Sequence, residues 1–157
     1  MNTFRTRVAC TALLLAATGF ARAAGTDSSA TLQLPKLALT WHCTVKDCTE
    51  NDKVVPLIQQ AYAAAATKAG YSVSTTDSAA LEITDFRQRP PAVRATLGLF
   101  AGKDRLAVHG SFHGQDIAAS DSSGNVIQGM NHLCESVGRK LYVAVLAKAR
   151  EDQSATK

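Results

Sequence analysis

Apolar and polar residues alternate from Pro35 to Cys43. Leu37, Leu39, Trp41 and Cys43 fall on one side, and Lys36, Ala38, Thr40 and His42 on the other. A period of two predicts a strand buried on one face. The polar run TVKDCTEND reads as a turn, with Asn51 or Asp52 placed to cap a helix. The period then changes: Val54, Val55, Ile58, Ala61, Tyr62 and Ala65 recur at three- and four-residue spacing and make one apolar stripe. Six alanines between 61 and 69 add helix propensity, and Gly70 stands where a helix ends in the left-handed conformation.

Tyr71, Val73 and Thr75 predict a short strand, and Thr76-Asp77-Ser78 a turn. Leu81, Ile83 and Asp85 then form the inner face of a further strand, with Glu82, Thr84 and Phe86 outside. Arg87-Gln88-Arg89-Pro90-Pro91 breaks it, because paired prolines cannot donate to a ladder. Alternation resumes over Val93, Ala95, Leu97 and Leu99, and Gly102-Lys103-Asp104 makes a turn. Leu106, Val108, Gly110, Phe112 and Gly114 line the next inner face. The chain is expected to stay extended through Ile117 and Ala119, with a bulge or bend at the glycines. After a loop at 120–125, Met130, Cys134, Val137, Leu141, Ala144, Val145 and Lys148 trace a helix from about Gln128 to Arg150.

This pattern predicts an α+β two-layer sandwich. A mainly antiparallel sheet of four to five strands carries two long helices on one face, in the order β-α-β-β-β-β-α. The first strand joins the sheet through a right-handed helical crossover. The domain is expected to span 35–150, after a flexible lead-in at 24–34 and before a disordered tail at 151–157.

The first residues change the reading of the rest. Arg5 and Arg7 precede an apolar run from Val8 to Phe20, and Ala21-Arg22-Ala23 follows. That order predicts a signal peptide over 1–23, and hence a periplasmic or secreted protein. Cys10 lies at the start of the run, away from the cleavage site, so a lipid anchor is not expected. Cleavage removes Arg5, Arg7 and Arg22 and no acidic residue, so the net charge of +4 falls by three to +1. A near-neutral domain offers no electrostatic basis for binding nucleic acid or an anionic membrane. No later apolar stretch is long enough to span a bilayer.

Export also changes the cysteines. Cys43, Cys48 and Cys134 remain, and in an oxidising space two are expected to pair. Cys43–Cys48 is favoured for its short loop. Cys43–Cys134 is the alternative, since both positions face the core on the pattern. The third thiol is read as buried and inert, behaving as a small hydrophobe.

The chemistry-bearing residues converge poorly. His109, His113 and Cys134 are the possible ligands of zinc or copper, although four residues along a strand cover about 13 Å, too far for one ion. His42 faces away from Cys43, and His132 points away from Cys134 on their helix. Ser111 shares a face with His109 and His113, but Asp116 is expected on the other face and no nucleophile elbow is present. Glu82 and Asp85 lie on opposite faces, with Arg87 or Arg89 expected to pair with Asp85. Arg87, Arg89 and Arg94 around Pro90-Pro91 read as a solvated tip.

The segment from Cys43 to Cys48 stands apart. Closed by a disulfide, it presents Val45, Lys46 and Asp47 on a rigid loop. Its Cys-x4-Cys spacing and terminal Asp-Cys resemble the loop of the Ivy-type bacterial periplasmic lysozyme inhibitors. In that family a histidine of the loop enters the lysozyme cleft, whereas here Lys46 and Asp47 precede Cys48 and no histidine is present. The resemblance covers six residues. The function expected is a non-catalytic, cofactor-free envelope module that binds another envelope protein. The alternatives are metal binding through the His and Cys ligands, and inhibition of a cell-wall hydrolase through the 43–48 loop.

Overall fold

The structure, a computed structural model, describes residues 32–97, 102–124 and 129–155. The expected signal peptide and most of the lead-in lie outside the described residues. Strands β1 (Gln33–Trp41), β2 (Ser72–Arg87), β3 (Asp104–Phe112) and β4 (Gln115–Ser123) form one sheet in that order. β1 and β2 are parallel, joined through helix α1 (Val54–Lys68), and the other neighbours are antiparallel. A short helix α2 (Pro91–Leu97) follows β2, and the long helix α3 (Met130–Ala155) follows β4. α1 packs against α3, and the pair covers one face of the sheet, α1 over β1 and β2 and α3 over β3 and β4. The α+β two-layer sandwich is therefore present, with four strands. None of the described helices is long and apolar enough to cross a membrane.

The core follows the two periods. Leu34 and Leu37 of β1, Leu81 and Ile83 of β2, Leu106 and Val108 of β3 and Ile117 of β4 meet Val54, Ile58 and Tyr62 of α1 and Leu133, Val137, Leu141 and Val145 of α3. Burying a side chain of this size contributes about 1.5–3 kcal/mol, which makes this shared interface the main source of stability. The N-cap of α1 is Lys53, without a side-chain cap, so neither Asn51 nor Asp52 caps the helix; the Asn51 side chain accepts the Lys53 N–H at 3.0 Å just ahead of it, and Gly70 (φ 83°) follows the helix end. α3 runs past the expected boundary to Ala155, because Asp152 is tied to the sheet by His113 and Gln115.

Four local departures from the expected pattern have physical causes. The expected turn at 76–78 does not separate two strands, and β2 runs through it unbroken. The Ser74 Oγ accepts the Thr76 and Asp77 N–H groups, and β2 bulges between Val73 and Ser78 before pairing with β1 again. A second slip between Ile83 and Asp85 exchanges the faces of everything after it. Phe86 thus enters the core opposite Leu106, while Asp85 leaves it and pairs with Arg105 at 3.1 Å. The expected strand over Val93–Leu99 is instead α2, through Leu97. Proline at a first helical position has its φ preset and needs no N–H partner, so the residue pair that ends β2 also starts a helix. Finally, His113 (φ 49°) and Gly114 (φ 76°) both adopt left-handed backbone, as a two-residue hairpin turn of the type that matches strand twist requires. They divide the expected single extended stretch into β3 and β4, and β4 takes up residues 120–123 that were expected in a loop.

Side chains of the two long helices guard both edge strands. The Tyr62 hydroxyl donates to the Pro35 carbonyl at 2.8 Å, and Gln59 to the Leu37 carbonyl at 2.9 Å. On β4, Lys140 donates to the Ser120 carbonyl at 2.7 Å and pairs with Asp121 at 3.3 Å. Burial pushes the Asp121 carboxyl up, but hydrogen bonds from Ser136, Ser122 and Lys140 hold it below its ordinary value. Occupied edge carbonyls leave less template for another strand to pair with.

Candidate functional site: the disulfide loop at the end of β1

Beyond Trp41 the chain stays on β2. The His42 N–H donates to the Ile83 carbonyl and the Thr44 N–H to the Thr84 carbonyl, both at 3.0 Å. It returns at Thr49, whose N–H reaches the Phe86 carbonyl at 3.2 Å. Between these anchors Cys43 and Cys48 form a disulfide, with Cα atoms 5.6 Å apart. The Cys48 N–H closes a turn on the Val45 carbonyl at 3.1 Å. Cys48 packs against the core, as does Trp41, whose ring meets Phe86 edge-on at 6.0 Å. The loop thus has an apolar foundation and a covalent clamp.

Its tip is open. Val45 is 38% exposed, Lys46 is exposed, and Asp47 pairs with Arg87 at 3.6 Å. Beside it lies a polar cleft of about 510 Å³ lined by Thr49, Glu50, Phe86, Arg87 and Gln88 among others. An exposed loop closed in this way suits recognition, since less conformational entropy remains to be lost on docking.

The other candidate residues do not gather. Cys43 is exposed at the loop, not in the core as its strand alternation suggested, because β1 ends at Trp41; with Cys43 bonded to Cys48, the Cys43–Cys134 alternative is ruled out. Cys134 is a free, buried thiol that desolvation raises to about 11. It lies in the helix layer, whereas His109 stands exposed in β3 opposite Glu82, on the uncovered face, and His113 occupies the hairpin turn. The set His109, His113 and Cys134 is therefore not assembled. Among the described residues no three His, Cys, Asp or Glu side chains form a group that could hold a metal ion. His42 is exposed next to the loop, and His132 belongs to α3.

Ser111 sits opposite Asp116 across β3 and β4, so the two share a face, contrary to expectation. The hairpin turn reverses the chain between them. His113 pairs with Asp152 and Asp77. The arginine run also divides. Arg87 serves the loop, Arg94 falls within α2, and Arg89 is buried beside Asp104 instead of standing at a solvated tip. Arg89 and Asp104 were missed as a pair because they lie on either side of α2 and share no periodic signal.

No model of a known protein family matches the chain, and no curated protein matches it.

Proposed function

We propose that the protein is an exported, non-catalytic binding module of the bacterial envelope, and that its 43–48 loop docks on another envelope protein. The observation that supports this reading is the loop itself, clamped by the disulfide and by β2 while Val45 and Lys46 stand in solvent. A disulfide persists in an oxidising compartment, in keeping with the charged, apolar and small-residue order of the first 23 positions. Lysine-directed crosslinking in the native cells tests it. The expected result is a discrete adduct at Lys46 that is lost in the Cys43→Ser/Cys48→Ser variant. Absence of the adduct, or its persistence without the disulfide, removes the proposal.

The exposed cation of the loop favours one more specific reading: Lys46 on a closed loop suits a site lined by carboxylates, which is what glycoside hydrolases present. If the partner is a cell-wall hydrolase, the purified protein inhibits lysozyme and Lys46→Ala relieves the inhibition. A wild-type protein without effect retires this version and leaves the general one standing.

A further inference from the structure

β1 is an outermost strand of the sheet, with β2 as its one neighbour. The backbone groups of successive residues in a strand point alternately to its two sides, and at an edge one side has no ladder partner. The His42 and Thr44 N–H groups donate to β2, so from Lys36 onward the even-numbered residues face into the sheet and the odd-numbered ones face out. The first part of this outer edge is closed. Pro35 has no N–H to offer, and the Pro35 and Leu37 carbonyls accept from Tyr62 at 2.8 Å and Gln59 at 2.9 Å. Further along, among the described residues, no side chain takes the outward N–H and C=O groups of Leu39 and Trp41. The side chains of Leu39 and Trp41 are partly buried, those of Ala38 and Thr40 are exposed, and the 43–48 loop begins two residues after Trp41.

We infer that this open part of β1 receives an extended segment of the same envelope partner that meets the loop, paired to it as an added strand. The inference rests on the loop reading and supplies the form of the contact. Outward N–H and C=O groups on alternate residues match the repeat of another extended backbone, and pairing of this kind is a common mode of peptide recognition. Gln59 and Tyr62 block the edge on one side and the disulfide loop bounds it on the other, which confines the pairing to Leu39–Trp41. The added segment is expected to carry apolar side chains beside Leu39 and Trp41, small or polar ones beside Ala38 and Thr40, and no proline where its own N–H must donate. A second copy of this chain fits less well. Two β1 edges related by a two-fold at Thr40 place Cys43 of each chain opposite Leu37 of the other, whose carbonyl Gln59 already holds. That leaves an overlap of Leu39–Trp41 alone, and so short a pairing does not hold by itself. A partner already engaged by the loop needs only this short strand to fix its orientation.

Two measurements test this. In the free protein, hydrogen exchange followed by NMR is expected to find the Leu39 and Trp41 amides fast and the Ala38, Thr40 and His42 amides protected. Protection of Leu39 and Trp41 overturns the inference, whether it is independent of concentration, as cover by the same chain requires, or grows with concentration, as pairing with a second copy requires. In the native cells, the lysine-directed adduct at Lys46 is expected to fall about fivefold or more in Leu39→Pro, which removes an outward donor and leaves the bonds to β2 in place. Leu39→Val keeps that donor and should keep the adduct, and thermal melts check that both variants are folded. An adduct undiminished in Leu39→Pro, or lost equally in Leu39→Val, removes the added strand and leaves the loop reading standing. Absence of the Lys46 adduct in the wild type removes both.

Discussion

Arg89 is 2% exposed and Asp104 is fully buried. One carboxylate oxygen of Asp104 accepts both the Arg89 side-chain Nε–H at 3.0 Å and its backbone N–H at 2.7 Å. The rest of the guanidinium donates to the Gly102 and Ser123 carbonyls. The group therefore ties the exit of β2 to the start of β3 and the end of β4. Bringing these charges out of water is costly, and removing one partner strands the other. Arg89→Met is expected to lose about 3–5 kcal/mol in urea unfolding, while Arg89→Met/Asp104→Leu recovers much of it. A single-variant loss below about 1 kcal/mol, the range of an exposed pair, would contradict this account.

At the scale of elements, the close crossing of α1 and α3 depends on Gly138. A Cβ there would lie 2.6 Å from the Ala61 Cβ and 2.7 Å from the Ile58 carbonyl oxygen. Replacing glycine by alanine in an exposed helix stabilises it by about 1 kcal/mol. Here the sign reverses: Gly138→Ala must push the helices apart and is expected to cost about 1–3 kcal/mol net, read as a lower urea midpoint. Sequence periodicity exposes β1, α1 and α3 well, because a half-buried element writes its period directly into the residues. It shows β2 only in part. A bulge adds residues without marking them, so simple alternation places Phe86 and Asp85 on exchanged faces. The short helix α2 carries too few turns for a stripe, and the His113-Gly114 turn lacks the usual Asn-Gly or Asp-Gly chemistry.

At the scale of the whole molecule, burial of the Cys134 thiol and the Tyr62 phenol gives a pH dependence. Burial lifts the Cys134 thiol from 9.0 to about 11 and also pushes the Tyr62 phenol up. As pH rises through 9.0, the unfolded chain releases a thiol proton that the folded chain still holds. Stability is therefore full below that point and declines towards about 11. Cys134 accounts for about 2–3 kcal/mol of the loss, at 1.36 kcal/mol for each unit of displacement. Urea unfolding across this range checks the sign, and Cys134→Ala should flatten the decline. A wild-type stability that rises in alkali would refute it.

The α+β class, the grouping into two layers and the elements β1, α1 and α3 were legible in the sequence alone, which also favoured the short-range Cys43–Cys48 pairing, since each depends on local period or local spacing. Tertiary structure decided which side of the sheet Asp85 and Phe86 occupy, that Arg89 is interior, and that Asp77, His113 and Asp152 converge. Each of those outcomes depends on strand register and helix placement, which set distances between residues far apart in the chain.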